Sequence, residues 1–295
     1  LLVPDIFVDT MGYAFALWLS KFLFPHVPTG AYVHYPTIST DMLQSLDSEA
    51  SEHGVNAGAG KGTKGKAKKA YWQLFANLYS RVGGSIDVVM TNSSWTQSHV
   101  QALWGPYRRS SRRARSTKVV SGDTDIRVVF PPVAVEELEE AIDVSPASEK
   151  NRHPHLLYIA QFRPEKNHNL IVTAFARLIS SRTWTSSTRP KLVLVGSVRD
   201  SDDATRVYKL RLLAHELQIK GDVDFVCDAI WPQVLERLRT SSVGVNGMWN
   251  EHFGIGVVEY QAAGLISVVN DSGGPRRDIV VEVEGGATGE YTSFM

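Results

Sequence analysis

The stretch "HLLYIAQFRPEKNHNLIVTAFARLIS", residues 155–180, decides how this chain folds. Its opening apolar run, stopped by a turn signal, predicts a strand over 155–162. After the Arg-Pro-Glu-Lys-Asn turn, apolar residues return at helical spacing and predict a helix over 168–180. A buried strand that runs straight into an amphipathic helix is the building unit of a parallel sheet covered on both faces. The unit recurs downstream. "KLVLVGS" (191–197) precedes a helix expected over 203–218, and "VDFVCD" (223–228) precedes one over 232–240. "SVGVNGMW" (242–249) and "ISVVND" (266–271) complete the strand set. Upstream, strands are expected at Ile6–Asp9, 31–36, 87–93 and 126–132, with helices over 12–24, 70–82 and 95–104. A polar joint at 136–154 separates the two runs. The fold class is α/β, and 295 residues suffice for two such domains. Ligands in parallel sheets sit at the carboxyl ends of the strands. The loops Gln161–Asn167, Gly196–Asp200, Gly247–Phe253 and Asn270–Gly274 are therefore the candidate crevice, if they belong to one sheet.

"NEHFGIGVVE" (250–259) lies in the third of these loops. It sets Glu251 and Glu259 eight positions apart, with Phe253, Gly254 and Gly256 between them. On a continuous helix the two carboxylates would point roughly 80° apart. The glycines disfavour a helix through the first half, so a loop is expected first and a helix from Val257 to Ala263, ended by Gly264. A helix start approached through glycine backbone favours an anion. Two carboxylates beside an anion fit a ligand that also carries hydroxyls, such as a phosphate with a sugar on either side.

"QFRPEKN" (161–167) supplies the matching cations. Arg163 offers a bidentate fork and Lys166 a point charge, at a strand end and before a helix. The alternative is a surface turn in which Arg163 pairs locally with Glu165. The chain as a whole is 43% hydrophobic with zero formal net charge, so no global field draws it to nucleic acid. A single cysteine, Cys227, excludes an intramolecular disulfide and a cysteine-based zinc site, and fits a reducing compartment.

Two segments break the rhythm. Residues 51–69 are rich in Gly, Ala and Lys, and 106–118 hold five arginines and a lysine. Both read as solvated or disordered loops, or as basic contacts for anionic lipid head groups. A near-miss phosphate loop, Gly60 to Lys66, lacks the Ser/Thr and the preceding strand and is rejected. Three Asp-x-Asp pairs, starting at Asp123, Asp200 and Asp222, show how cheap that pattern is, and Asp202 reads better as a helix N-cap. Sequons occur at Asn92 and Asn270; a glycan on the second would block the crevice, which favours the cytosolic side. "MGYAFALWLSKFLF" (11–24) is too short to span a bilayer and contains Lys21. It reads as a core helix or as one lying on a membrane surface.

"RPEKN" followed about 90 residues later by E-x7-E resembles the retaining, GT-B-fold glycosyltransferases of family 4, which include sucrose and glycogen synthases. "YVHYPTISTDML" (32–43), "DVVMTNSSWT" (87–96), "AQFRPEKNH" (160–168), "MWNEHFGIGVVE" (248–259) and "NDSGGPRRDIVV" (270–281) narrow the resemblance. They are similar to the eukaryotic GDP-mannose-dependent α-1,2-mannosyltransferases of dolichol-linked oligosaccharide assembly. The resemblance implies two Rossmann-like domains facing across a cleft. Residues 1–135 would be a partial acceptor-side domain with inserts near 51–69 and 106–125. Residues 136–154 would be a linker, and 155–295 a nucleotide-sugar-binding domain truncated at its end. A membrane anchor and a Gly-rich loop would lie before Leu1, and a helical segment after Met295. The ending "ATGEYTSFM" departs from the Thr-Gly-Phe-Leu continuation usual in that family.

The implied activity is transfer of mannose from GDP-mannose to a Man3GlcNAc2-type dolichyl-diphosphate acceptor, adding the fourth and fifth mannoses with α configuration retained. By resemblance, Glu251 contacts mannose hydroxyls, with the N–H groups of Phe253 and Gly254 nearby. Glu259 holds the ribose, with Gly256 in the same turn, while Arg163 and Lys166 neutralise the diphosphate. Ser272, Gly273 and Gly274 approach the donor. His34 faces the mannose from the acceptor side or is a structural histidine. No metal or cofactor is expected. The implied partners are the endoplasmic reticulum membrane, on its cytosolic face, and other mannosyltransferases of the pathway. Two alternatives stand: a transferase for another nucleotide sugar or acceptor, and a fragment that only binds nucleotide or lipid.

Overall fold

The computed structural model describes residues 3–38, 62–113, 126–185 and 188–292. They form two compact units, Leu1–Pro131 and Pro132–Met295.

The first unit is a parallel sheet of β1 (Phe7–Asp9), β2 (Thr29–Val33), β3 (Val88–Thr91) and β4 (Ile126–Val128), in that order. It packs with α1 (Ala14–Leu23), α2 (Gly62–Gly83) and α3 (Ser94–Arg113). Leu17, Val33, Tyr79, Val89, Trp104 and Ile126 form its apolar centre. Burying such side chains stabilises a fold by roughly 1.5–3 kcal/mol each. The Asp9 carboxylate opens α1, accepting the N–H groups of Met11, Gly12 and Tyr13.

Both basic segments depart from the loops expected of them. From Gly62 the first is helical and extends α2; residues 51–61 lie outside the described residues. The second continues α3 to Arg113, although Pro106 removes one helix hydrogen bond. Burial around the proline explains this. Trp104 is fully buried against Tyr79, with ring centroids 5.4 Å apart. Arg108 is also buried, and its guanidinium donates to the carbonyls of Ile86 at 2.6 Å and Asp87 at 3.3 Å. Gly83 makes room, since a Cβ there would overlap the Trp104 indole. Residues 114–125 lie outside the described residues.

The second unit begins with two short helices, α4 (Val135–Ala141) and α5 (Pro146–Glu149). The stretch 136–154 is therefore not a linker: Leu138 and Ile142 are buried with Leu157, Val193 and Tyr260. A six-stranded parallel sheet follows, built from β5 (His153–Ile159), β6 (Lys191–Gly196), β7 (Val223–Cys227), β8 (Ser241–Asn246), β9 (Ile266–Asn270) and an edge strand at Gly289–Thr292. Helices α6 (His168–Ser180), α7 (Ser201–Glu216), α8 (Trp231–Thr240) and α9 (Ile255–Ala262) connect the strands. Asp200, not Asp202, caps α7, accepting the N–H groups of Asp202 and Asp203. A two-strand hairpin, Glu282–Val283 with Gly286–Ala287, precedes the edge strand.

Arg152, just before β5, holds the unit together from beneath. Its side chain is almost fully buried. The guanidinium donates to the carbonyls of Leu238, Ser241 and Ala263 at 2.9, 2.8 and 2.5 Å. Those carbonyls lie at the C-terminal ends of α8 and α9, where unsatisfied acceptors and the helix dipole favour a cation.

The strand order places the site. From β5 the chain moves outward to β6 and β7, then returns to β8 on the other flank of β5. The loops leaving β5 and β8 therefore diverge, and a crevice opens between them at their carboxyl ends.

Candidate active site

The turn after β5 is a single 3₁₀ turn over Pro164–Lys166, ended by Asn167 in the left-handed region at φ 52°. This turn aims Lys166 across the crevice. Its Nζ pairs with Glu251 Oε2 at 2.6 Å and approaches Met248 Sδ at 3.1 Å. Both charges are largely covered, with side-chain exposures of 21% and 13%. Asn246, at the end of β8, donates to the same Glu251 oxygen at 3.4 Å. Tyr158 anchors the turn from below, its hydroxyl donating to the Lys166 carbonyl at 2.6 Å. Arg163 is half-buried and stands 3.8 Å from Glu165, a loose pair only, and its Nε is buried without a hydrogen-bond partner among the described residues.

The loop holding Glu251 is braced by the loop after β9. Ser272 Oγ accepts the Asn250 N–H at 2.8 Å and donates to Asn270 Oδ1 at 2.6 Å. The Gly274 N–H donates to the Glu251 carbonyl at 2.7 Å. Gly273 stands at φ 70°, where a Cβ would overlap the Glu251 carbonyl oxygen. Ser272, Gly273 and Gly274 thus fix the backbone of the Glu251 loop. Gly254, at φ 108°, turns the chain into α9, which starts at Ile255, two residues earlier than the expected start. Phe253 is buried beside it with Val257 and Ile279.

Glu259 reaches the crevice through a chain of close contacts. Gly244 in β8 leaves space that the Tyr260 ring fills. The Tyr260 hydroxyl accepts the Ile159 N–H at 2.7 Å, locking α9 to the end of β5. Its neighbour Glu259 then lines a pocket of about 390 Å³, together with Ala160, Gln161, Lys166, Gly196 and Gly256. Burial raises the Glu259 carboxyl above its usual range. His168, buried between Tyr158 and Phe162, is held to a pKa of about 4, chiefly by burial. It stays neutral and serves packing.

Lys166, Glu251, Glu259, Gly256 and the Ser272–Gly274 brace therefore meet at one end of the second unit's sheet, and Arg163 lies in the same turn as Lys166. His34 lies in the first unit, exposed, just after β2, its ring edge-on to Tyr32 at 4.7 Å. Sequence reasoning missed Asp228, Ala229 and Val234, which complete the pocket wall. The signal for them was modest: Asp228 ends the "VDFVCD" strand run, and its left-handed backbone, φ 54°, is invisible in the sequence. Among the described residues no group of three or more His, Cys, Asp or Glu side chains could hold a metal ion.

Residues 1–104 match the family model described as ALG11 mannosyltransferase N-terminus, and residues 139–291 match that of glycosyl transferases group 1. The chain is 67% identical over 295 residues to a Neurospora crassa protein named GDP-Man:Man(3)GlcNAc(2)-PP-Dol alpha-1,2-mannosyltransferase, covering 99% of this chain and 52% of that protein. It is 42% identical to the Homo sapiens protein of the same name, covering 97% of this chain and 55% of the other. The chain thus spans about half the length of the curated relatives it matches. Among solved structures it resembles Anabaena HepE in complex with UDP and glucose, at TM-score 0.60 and 13% identity, covering 98% of this chain and 64% of that one. A UDP-forming trehalose-phosphate synthase from Burkholderia xenovorans gives TM-score 0.61 at 13% identity, covering 93% and 61%. These likenesses identify the fold as GT-B. With its second unit matched almost throughout, the chain belongs to the glycosyl transferases group 1.

Proposed function

We propose that the whole protein transfers mannose from GDP-mannose to a dolichyl-diphosphate-linked Man3GlcNAc2-type acceptor, making α-1,2 linkages with retention. One observation carries the reading. Lys166 and Glu259 line one pocket at the carboxyl ends of a parallel sheet, and Glu251 is paired to that lysine. The names of the relatives support the donor and acceptor. In this reading Glu259 accepts the ribose hydroxyls, and Glu251 accepts mannose hydroxyls beside the backbone at Phe253 and Gly254. Arg163 and Lys166 stabilise the leaving diphosphate, where charge develops as the glycosidic bond breaks. These cations and the start of α9 supply the positive field, with no metal requirement.

The membrane is the second partner. No helix among the described residues is long and apolar enough to cross one. However, α1 and α2 share an exposed apolar face: Trp18 is 42% exposed, Phe22 69% and Leu74 61%, with Leu19 and Tyr71 beside them. The 11–24 segment is thus a core helix only along Ala14 and Leu17. We propose that this face rests on the cytosolic leaflet of the endoplasmic reticulum, near a lipid-linked acceptor and the other transferases that act on it.

The deciding experiment is a transfer assay on the full-length protein with GDP-mannose and the trimannosyl lipid-linked acceptor. Extension of the acceptor by α-1,2-mannose is expected. Transfer from a UDP-sugar instead, or no transfer from GDP-mannose by a folded protein, would overturn the reading.

A further inference from the structure

The pocket extends beyond the residues already given a role. In the sheet, β7 lies two strands from β5, so its carboxyl end stands ~10 Å from the Lys166 turn. That end of the pocket is walled by Asp228, Ala229 and Val234. Asp228 is a non-glycine residue in the left-handed region, φ 54°, a conformation uncommon outside glycine and tolerated by Asp and Asn. It is pinned there from two sides. Its N–H donates to the Gly196 carbonyl at 3.0 Å, and its Oδ1 accepts the Val198 N–H at 2.9 Å. Oδ2 has no hydrogen-bond partner among the described residues. A carboxylate is thus held rigidly at a pocket mouth next to a small apolar surface, Ala229 and Val234.

The chemistry of such a group is selective. A carboxylate accepts only, and it matches two adjacent donors. Guanine offers such a pair on its Watson–Crick edge, N1–H and the 2-amino group. Uracil offers one N–H between two carbonyl oxygens, which a carboxylate repels. We propose that Asp228 is the residue that reads the base of the donor nucleotide, accepting from guanine N1–H and the 2-amino group while the ring rests on Ala229 and Val234. This rests on the nucleotide-site reading above and adds the source of its base specificity.

Asp228→Asn separates recognition from structure. Asparagine tolerates the same backbone and keeps an oxygen for the Val198 N–H, but it presents a donor where guanine also donates. Calorimetry on the full-length protein would compare GDP, IDP (which lacks the 2-amino group) and UDP. The wild type should bind GDP about tenfold to a hundredfold tighter than IDP, the range for one charge-assisted hydrogen bond. The variant should lose most of that ratio and most of its GDP affinity, with UDP changed by less than about threefold. Equal weakening of all three nucleotides would overturn the inference and make Asp228 a brace for the Val198 loop. An unchanged GDP-to-IDP ratio in the variant would overturn it while leaving the nucleotide site intact. A wild type that binds none of the three would remove the site itself, and the inference with it.

Discussion

Lys166 Nζ lies 2.6 Å from Glu251 Oε2, an ion pair between the turn after β5 and the loop after β8. The cation proposed for the diphosphate and the carboxylate proposed for the sugar are thus one electrostatic unit. Removing one partner leaves the other as a poorly solvated charge, and that cost adds to any lost ligand contact.

We predict that Arg163→Ala and Lys166→Ala each lower mannose transfer by about tenfold to a thousandfold, because each offsets charge on the leaving group. Lys166→Ala and Glu251→Gln should be strongly non-additive, since they share the ion pair. Steady-state kinetics of both single variants and the double variant test this. Additive losses would show that the pair does not persist in the working enzyme, and wild-type rates would remove the phosphate assignment.

The two glutamates should fail differently. Glu259→Gln should weaken GDP and GDP-mannose alike, by about 1.5–3 kcal/mol for one charged hydrogen bond. Glu251→Gln should lower turnover without weakening GDP, because its contacts to mannose need the sugar, while Lys166, released from the pair, stays available to the diphosphate. Stability adds an independent check. Burial raises the folded Glu259 pKa above its ordinary value, so the neutral form is favoured by folding. That contribution is present below the ordinary carboxylate pKa and is lost as pH rises through the raised one. At neutral pH the ionised group costs stability, and Glu259→Gln should melt higher than wild type while binding nucleotide worse. A lower melting temperature at neutral pH would mean that the carboxylate holds the fold rather than the ligand.

Gly273→Ala tests the brace. A methyl group there would overlap the Glu251 carbonyl oxygen, in a backbone conformation that side chains resist. We predict a loss of roughly 1–3 kcal/mol in stability from that strain, and loss of transfer with GDP binding largely kept. Unchanged transfer in a folded variant would show that the Glu251 loop position is not needed for activity.

The exposed α1–α2 face should seat the protein on lipid. In vesicle flotation, Trp18→Ser with Phe22→Ser should release a fragment spanning residues 1–295 that otherwise floats. Each basic residue near an anionic surface contributes roughly 1 kcal/mol, so anionic vesicles should bind more than neutral ones. Equal flotation of variant and parent would exclude this face.

The second unit was legible because its strands are buried on both faces. Residues 168–180 were expected as a helix and are one, and the strands starting at Lys191, Val223 and Ile266 begin where the apolar runs do. Misreadings occurred where tertiary contacts override local preference. Pro106 argues for a helix end, yet burial of Trp104 and Arg108 carries the helix past it. The edge strand Gly289–Thr292 is half exposed and lacks an apolar run, so only its pairing with β9 reveals it. In the site, the residue types of "RPEKN" and "NEHFGIGVVE" mark out the charged side chains that gather at one end of the sheet. The Lys166–Glu251 pair joins positions 85 apart, and no local pattern encodes it.

Arg152 also bears on how the chain is made. Its farthest acceptor, the Ala263 carbonyl, lies 111 residues downstream. At a synthesis rate of 5–20 residues per second, that acceptor appears about 5–20 s after the arginine. For most of that interval the emerging polypeptide carries a guanidinium with only Glu149, three residues upstream, to pair with, because its carbonyl acceptors at Leu238, Ser241 and Ala263 and the neighbouring strand β8 are still unmade. The unit must complete late and as a whole. Arrested nascent chains ending before Ala263 should remain open to proteases along their entire second half, where chains released beyond it resist.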